Sequence, residues 1–292
     1  MEETIQPYSR VFLEIGPLTI YWYGALIGLG VFLGYLIATR EAVKRGYPKE
    51  MYADVLLFAL PIAILSARLY YVIFRWEQFA DNPIRIFYIW EGGLSIHGGV
   101  IGGMLTAYFF CKKRGYSFWQ VADITAPSLL LAQAIGRWGN FMNQEVYGGP
   151  VTREFLEGLM LPDFIINQMY INGTYYHPTF LYESLWNLLG FFLLIYLRRF
   201  NLKQGEIFMT YLVYYSFARF FLEMVRLDYL MIGGVLKTAQ VVSIILILFA
   251  IGFTIYRRKQ PNTPNYHDPA ISNTANAKAK QTNKKQKNRK KK

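Results

Sequence analysis

Cysteine is all but absent from this chain. Cys111 is the single one in 292 residues, so no intrachain disulfide can form. Histidine is nearly as scarce, limited to His97, His177 and His267. These three show no metal-ligand spacing, and His267 falls in the tail, so neither a metal nor a cofactor is expected. Acidic residues number 19 against 31 Lys and Arg. The resulting net charge of +12 suggests nucleic acid only until it is located: residues 260–292 hold nine Lys/Arg and one Asp. A solvated basic tail accounts for that, and no nucleic-acid partner is expected. The start, Met1-Glu2-Glu3-Thr4-Ile5-Gln6, carries no basic residue and does not read as a cleavable signal peptide.

The largest deficit is of polar helical faces. With 53% hydrophobic and 17% aromatic residues and 24 glycines, the chain is too apolar for an ordinary soluble domain and ordinary for a multispanning membrane protein. Seven apolar runs lie at roughly 16–38, 51–74, 94–111, 118–136, 180–197, 206–225 and 238–256, and they mostly lack the polar stripe of a soluble amphipathic helix. About 20 apolar residues suffice to cross a bilayer. The expected fold class is therefore all-α and polytopic, with seven transmembrane helices. Basic residues orient them. Arg40, Lys44, Arg45 and Lys49 follow the first run, Lys112, Lys113 and Arg114 the third, and Arg198, Arg199 and Lys203 the fifth. With the basic residues after the seventh, 22 of the 31 Lys/Arg lie on one side. That side is cytoplasmic by the positive-inside rule, which puts the N-terminus outside and the C-terminus in the cytoplasm. Gly24/Gly28, Gly30/Gly34, Gly98/Gly102 and Gly99/Gly103 have the small-residue spacing of close helix packing. Gly98–Gly103 lacks the Lys-Ser/Thr of a P-loop, so no nucleotide site is expected there.

The long connection 138–179 lies outside on this topology. Asn172-Gly173, set between β-prone residues, predicts a hairpin, hence a small, partly β external head between the fourth and fifth spans. Residues from 259 onward are Lys/Asn-rich without apolar periodicity and are expected to be disordered, with a charge suited to the anionic inner leaflet. Cys111, at the cytoplasmic end of its span, is read as packing.

Ionisable residues inside or beside an apolar span are costly and mark sites. Arg68 and Arg75 fall in the outward half of the second run, His97 opens the third, and Arg137 and Glu145 end the fourth. His177 and Glu183 flank the start of the fifth, and Arg219, Glu223 and Arg226 occupy the outward half of the sixth. Tyr23 sits near the outer end of the first. Tyr215, Arg219 and Glu223 share one helical stripe at four-residue spacing. Arg219 and Glu223 read either as a self-neutralising pair or as part of a ligand site. Arg137, Arg219 and Arg68 at one depth imply an anion, and the planar guanidinium fork suits phosphate. An anion at the outer leaflet among apolar helices is most simply a phospholipid headgroup. His97, flanked by glycines and titrating near neutrality, suits a general base.

Several stretches resemble the bacterial phosphatidylglycerol–prolipoprotein diacylglyceryl transferases, over the chain to about residue 258. Gly136-Arg137-Trp138-Gly139-Asn140-Phe141-Met142-Asn143-Gln144-Glu145 resembles the family signature Gly-Arg-x-Gly-Asn-Phe-x-Asn-x-Glu. Gly92 to Gly99 resembles Gly-Gly-x-Ser-x-His-Gly-Gly, and His177 to Glu183 resembles His-Pro-Ser/Thr-x-Leu-Tyr-Glu. Trp22-Tyr23-Gly24 and Tyr215…Arg219…Glu223 resemble its first- and sixth-helix motifs. The resemblance implies a transferase of the bacterial cell membrane that moves the sn-1,2-diacylglyceryl group from phosphatidylglycerol to a prolipoprotein lipobox cysteine. A thioether forms and glycerol-1-phosphate leaves. It implies a catalytic set of His97, Arg137, Arg219 and Tyr215, and a phosphatidylglycerol-binding set of Arg137, Asn140, Glu145, Tyr23, Glu223 and Gly148, without cofactor. His97, Tyr215 or the substrate itself remain alternatives for the base. A transporter of organic phosphates and a lipid-binding scaffold are the rival readings; seven spans divide poorly into inverted repeats, and a scaffold leaves His97 and the tyrosines unexplained.

Overall fold

The computed structural model describes residues 6–16, 18–226, 231–232 and 236–270. Among them, seven helices of 19 residues or more account for most of the chain. They are α1 (Trp22–Lys44), α2 (Met51–Phe74), α3 (Ile96–Arg114), α4 (Phe118–Asn143), α7 (Thr179–Leu197), α8 (Glu206–Val225) and α9 (Thr238–Lys259); α5 (Arg153–Gly158) and α6 (Asp163–Gln168) are short. By length and composition, α1, α2, α7 and α9 can cross a membrane. The other long helices carry the polar residues discussed below, which lowers their hydropathy. The chain is thus a helical membrane protein, divided into two compact units: Met1–Ala38 with Ala122–His267, and Thr39–Val121 with Asp268–Lys292.

Within the first unit, α4 is the axis. Ile124, Ala126 and Leu130 on it are fully buried. Side-chain hydrogen bonds stitch it to three neighbours: Ser128 donates to the Gly34 carbonyl of α1 at 2.9 Å, Ser184 of α7 donates to the Ala134 carbonyl at 2.9 Å, and Gln133 donates to the Tyr211 hydroxyl of α8 at 3.1 Å. Such bonds are the glue available where lipid removes the hydrophobic drive between helices. Gly30 and Gly34 meet Ala132 and Ser128 closely enough that a Cβ would crowd them at 3.1 and 3.3 Å, whereas Gly24 and Gly28 face open space. Buried Asp123 accepts from the Gly205 and Phe208 amides at 2.6 and 2.8 Å, capping the first turn of α8, whose N–H groups otherwise lack partners.

Two departures from the sequence reading concern element ends. The first apolar run does not begin a helix at residue 16. β1 (Val11–Ile15) and β2 (Leu18–Tyr21) pair antiparallel before α1, turning at Gly16 with φ +57°; the run is apolar but β-branched and aromatic, which suits strands. The fourth helix does not stop at 136. It continues through Gly136–Asn143, so the signature stretch is helical, and the head begins near 144. There β3 (Pro150–Val151), β5 (Thr174–Tyr176) and β4 (Tyr170–Ile171) form a three-stranded antiparallel sheet in that order. Asn172 and Gly173, at φ +50° and +86°, make the expected hairpin turn between β4 and β5. Phe141, Leu156, Ile165, Ile166, Met169 and Phe180 form its core.

Of the tail expected to be disordered, residues 271–292 lie outside the described residues. Residues 261–267 instead pack in the first unit: Tyr266 is fully buried, its amide donates to Leu202 O at 2.7 Å, and the His267 ring meets the Arg198 carbonyl at 2.8 Å. One buried aromatic, followed by backbone pairing, orders a segment whose composition alone reads as polar.

In the second unit α2 and α3 pack through the expected small residues. A Cβ on Gly98 would run into the Ser66 carbonyl, and one on Gly102 into the Ser66 side chain, while Gly103 faces open space. The α2–α3 connection folds into three 3-10 turns, Trp76–Gln78, Pro83–Phe87 and Ile89–Glu91.

Candidate active site

The site is built from the last two turns of α4 and the facing ends of α7 and α8. Arg137 donates through Nη1 to Asn140 Oδ1 at 3.3 Å and through Nη2 forms an ion pair with Glu183. Asn140, buried, in turn donates to Glu145 Oε1 at 2.9 Å, which also accepts from Asn143 at 3.3 Å. Arg137 and Glu145 are therefore linked through Asn140. The Glu145 turn is strained: Gln144 and Val146 on either side have φ +52° and +61°, a region a β-branched residue rarely enters. Hydrogen bonds hold it there, with the Glu145 amide on Asn140 O at 3.0 Å and Gln144 Nε2 on Gln168 O at 2.9 Å. Strain maintained by surrounding bonds in this way concentrates at functional sites.

On α8, Arg219 pairs with Glu223 at 2.7 Å, and Glu223 is 2% exposed. Nη1 of Arg219 is buried without a hydrogen-bond partner among the described residues. Tyr215 lies one turn before it, stacked on Tyr211. Together with Glu183, Trp186 and Asn187 of α7, Tyr215 and Arg219 line a shallow cleft. Glu183 stands on the wall of this cleft while its carboxylate holds Arg137, so it joins the α4 cluster to the α8 cluster. Its other oxygen faces Arg226 at 3.7 Å.

Glycines at two positions make the packing possible. A Cβ on Gly139 would lie 2.6 Å from the Tyr23 ring. Gly148 is buried where a Cβ would meet His177 Cβ at 2.8 Å and Val225 Cγ1 at 2.9 Å; its amide donates to His177 O at 3.1 Å, and Gly149 N to Val225 O at 3.0 Å. These bonds tie the head to the end of α8. Burial lowers the pKa of His177 below the usual imidazole value.

The structure thus brings Arg137, Asn140 and Glu145 into one contact chain and Tyr215, Arg219 and Glu223 into another, with Tyr23 on Gly139 and Gly148 beside His177. His97 belongs to the second unit, where it is exposed at the start of α3 with its ring stacked on Tyr70 at 5.9 Å. Arg68 lies in the second unit. Its guanidinium is buried and donates to the carbonyls of Arg85, Ile86, Tyr88, Gly92 and Gly93, so its hydrogen bonds go to the α2–α3 connection. Glu183, already marked in the sequence as an acidic residue at the start of an apolar run and the end of the His177–Glu183 stretch, joins the expected catalytic and lipid-binding residues through its pair with Arg137.

Among the described residues no cluster of His, Cys, Asp and Glu forms a metal site. The family model for prolipoprotein diacylglyceryl transferase matches residues 10–256. The chain is 65% identical over 283 residues to a protein of Halalkalibacterium halodurans named phosphatidylglycerol–prolipoprotein diacylglyceryl transferase, covering 97% of this chain and 98% of that one. Proteins of the same name from Shouchella clausii and Geobacillus kaustophilus are 64% and 61% identical, over 92% and 88% of this chain and 97% and 96% of theirs. The chain belongs to the prolipoprotein diacylglyceryl transferase family.

Proposed function

We propose that this chain transfers the sn-1,2-diacylglyceryl group of phosphatidylglycerol to the lipobox cysteine of a prolipoprotein, the first step of lipoprotein maturation. It works as a multi-pass protein of the bacterial cell membrane, with seven spans, the N-terminus outside and the site toward the outer leaflet. The observation that carries the site assignment is the pair of guanidiniums held by buried carboxylates, Arg137 on Glu183 and Arg219 on Glu223, the second with a buried Nη1 that has no described partner. A lipid phosphate fits that donor.

The bond that forms joins the cysteine sulfur to the glyceryl carbon. The bond that breaks is that carbon's link to the phosphate oxygen, which leaves with the electron pair as glycerol-1-phosphate. Arg137 and Arg219 hold the phosphate as its leaving charge grows, a task suited to prepositioned donors in a dry site. Asn140 and Tyr23 hydrogen-bond the headgroup, and Glu145 and Glu223 orient Asn140 and Arg219. The thiol must lose its proton to be nucleophilic. His97, an imidazole exposed at the start of α3, is the assigned acceptor, with Tyr215 or the substrate as the alternative.

The test is glycerol-phosphate release by the purified protein from phosphatidylglycerol liposomes, with a lipobox peptide bearing Cys or Ser. Release that requires the Cys peptide and disappears in Arg137→Ala is the expected result. Binding without release would leave a lipid scaffold, and movement of solute without release a transporter.

A further inference from the structure

We propose that Glu183 is a positioning residue for this reaction: its carboxylate fixes the Arg137 guanidinium and so sets the spacing between the two phosphate-binding arginines. The proposal rests on the transferase reading above. Arg137 is a long, flexible side chain whose partner on its own helix is Asn140, one turn away at 3.3 Å. Glu183 supplies the restraint from a second helix. It is 5% exposed, so the ion pair forms where water screens it little. Its backbone is anchored, since Thr179 and Phe180 in the first turn of α7 are buried and Leu181 N donates to Pro178 O. The second carboxylate oxygen faces Arg226, which is itself fixed through its backbone to Leu222 and opposite Gly148. Glu183 is therefore held from two directions, and it cannot rotate without abandoning one arginine.

Glu183 also lines the cleft that contains Tyr215 and Arg219. Through its pair with Arg137 the α4 signature reaches that cleft. A phosphate gripped by Arg137 and Arg219 needs both forks at one separation. Small displacements of a reacting group are expensive, on the order of 100-fold in rate for ~1 Å. Removing the carboxylate's charge frees Arg137 to move by such an amount, while leaving the guanidinium present to bind lipid.

The experiment compares Glu183→Gln, Glu183→Asp, Arg137→Lys and the double variant Glu183→Gln with Arg137→Lys, as full chains in phosphatidylglycerol vesicles with a Cys lipobox peptide. Glu183→Gln is expected to lower kcat by on the order of 100-fold, with a much smaller change in KM for phosphatidylglycerol. Glu183→Asp keeps the charge one methylene back, and its kcat falls between those of Glu183→Gln and the wild type. The double variant is expected to lose no more than Arg137→Lys alone, because residues acting through one another are not additive. Wild-type kcat in folded Glu183→Gln, or additive losses in the double variant, overturns the proposal. If Glu183→Gln does not fold, Glu183→Asp decides: reduced kcat at an unchanged unfolding midpoint supports the positioning role, and full kcat overturns it. A wild-type protein that releases no glycerol phosphate fails the transferase reading itself, and the proposal with it.

Discussion

The ring of Tyr23 occupies the space that a side chain on Gly139 would need: a Cβ there would lie 2.6 Å from Tyr23 Cδ2 and 3.3 Å from its Cα. The first and fourth helices therefore touch at the signature motif, and the tyrosine assigned to the lipid headgroup is seated by a glycine of that motif. A Cβ on Gly136, one turn earlier on α4, would meet nothing within 4 Å beyond its own helix. The two glycines of one motif should then respond oppositely.

Gly139→Ala is expected to destabilise by about 1–3 kcal/mol, the usual cost of overpacking, which outweighs the ~1 kcal/mol that alanine gains in a helix. It should also impair turnover by displacing Tyr23. Gly136→Ala should keep or raise the unfolding midpoint. Thermal unfolding in detergent micelles checks both, and the Tyr23→Ala background gives the control: with the ring gone, the Gly139→Ala penalty should shrink. An equal penalty at the two glycines, or one unaffected by Tyr23→Ala, would show that the contact is not the cause.

Arg68 invites a second comparison, because charge in a span and a purely structural duty predict different losses. Five backbone carbonyls of the 85–93 segment accept from its guanidinium. Leaving such buried acceptors unpaired costs about 1–3 kcal/mol each before relaxation. Arg68→Ala is expected to raise hydrogen exchange and protease cleavage across residues 76–93 while leaving KM for phosphatidylglycerol unchanged. Lysine, a point charge without the planar fork, should rescue little. Normal protection together with a raised KM would return Arg68 to the anion site.

Arg68 and Arg137 together mark where sequence patterns stop being informative. Both are arginines at the outward end of an apolar run, and periodicity ranks them equally. What separates them is where the carbonyls of a distant connection fall, which no local spacing encodes. The seven long helices are legible because each apolar run is long and continuous, and the head hairpin because Asn-Gly suits positive φ at both positions. The β1–β2 hairpin is not, since its residues are as apolar as the helix that follows. Within the site, the four-residue spacing of Tyr215, Arg219 and Glu223 is legible as one stripe. The Arg137–Glu183 pair joins residues on different helices, which spacing along one chain segment does not reveal. Asp123, the buried cap of α8, does carry a signal, as an ionisable residue in an apolar run, but its partners lie more than 80 residues away.

His177 provides a pH test of the head. Its ring packs edge-on to Phe155 at 4.9 Å, and its Nδ1 lies 3.2 Å from the Tyr182 hydroxyl. Burial lowers its pKa in the folded protein, from the usual value of about 6.5 in an unfolded chain. Above that value both states hold a neutral ring, and His177 adds no pH dependence. As pH falls through about 6.5, the unfolded chain takes up a proton that the folded head refuses, so stability is lost as pH falls. The loss continues down to the folded pKa and levels off below it, where both states are protonated. The unfolding midpoint of the full chain should therefore begin to drop over the interval around pH 6.5, about the unfolded value, and Glu or Asp titration, centred near 4, adds its own dependence at lower pH. His177→Gln keeps a polar side chain and removes the titration, so its midpoint should fall less across the same interval. The difference between the two curves isolates His177 from His97 and His267, which both proteins retain. Parallel curves would mean that the folded ring accepts its proton as readily as the unfolded one. A wild-type midpoint that rises relative to His177→Gln on acidification would mean that the head favours the charged ring, the opposite of what its burial dictates.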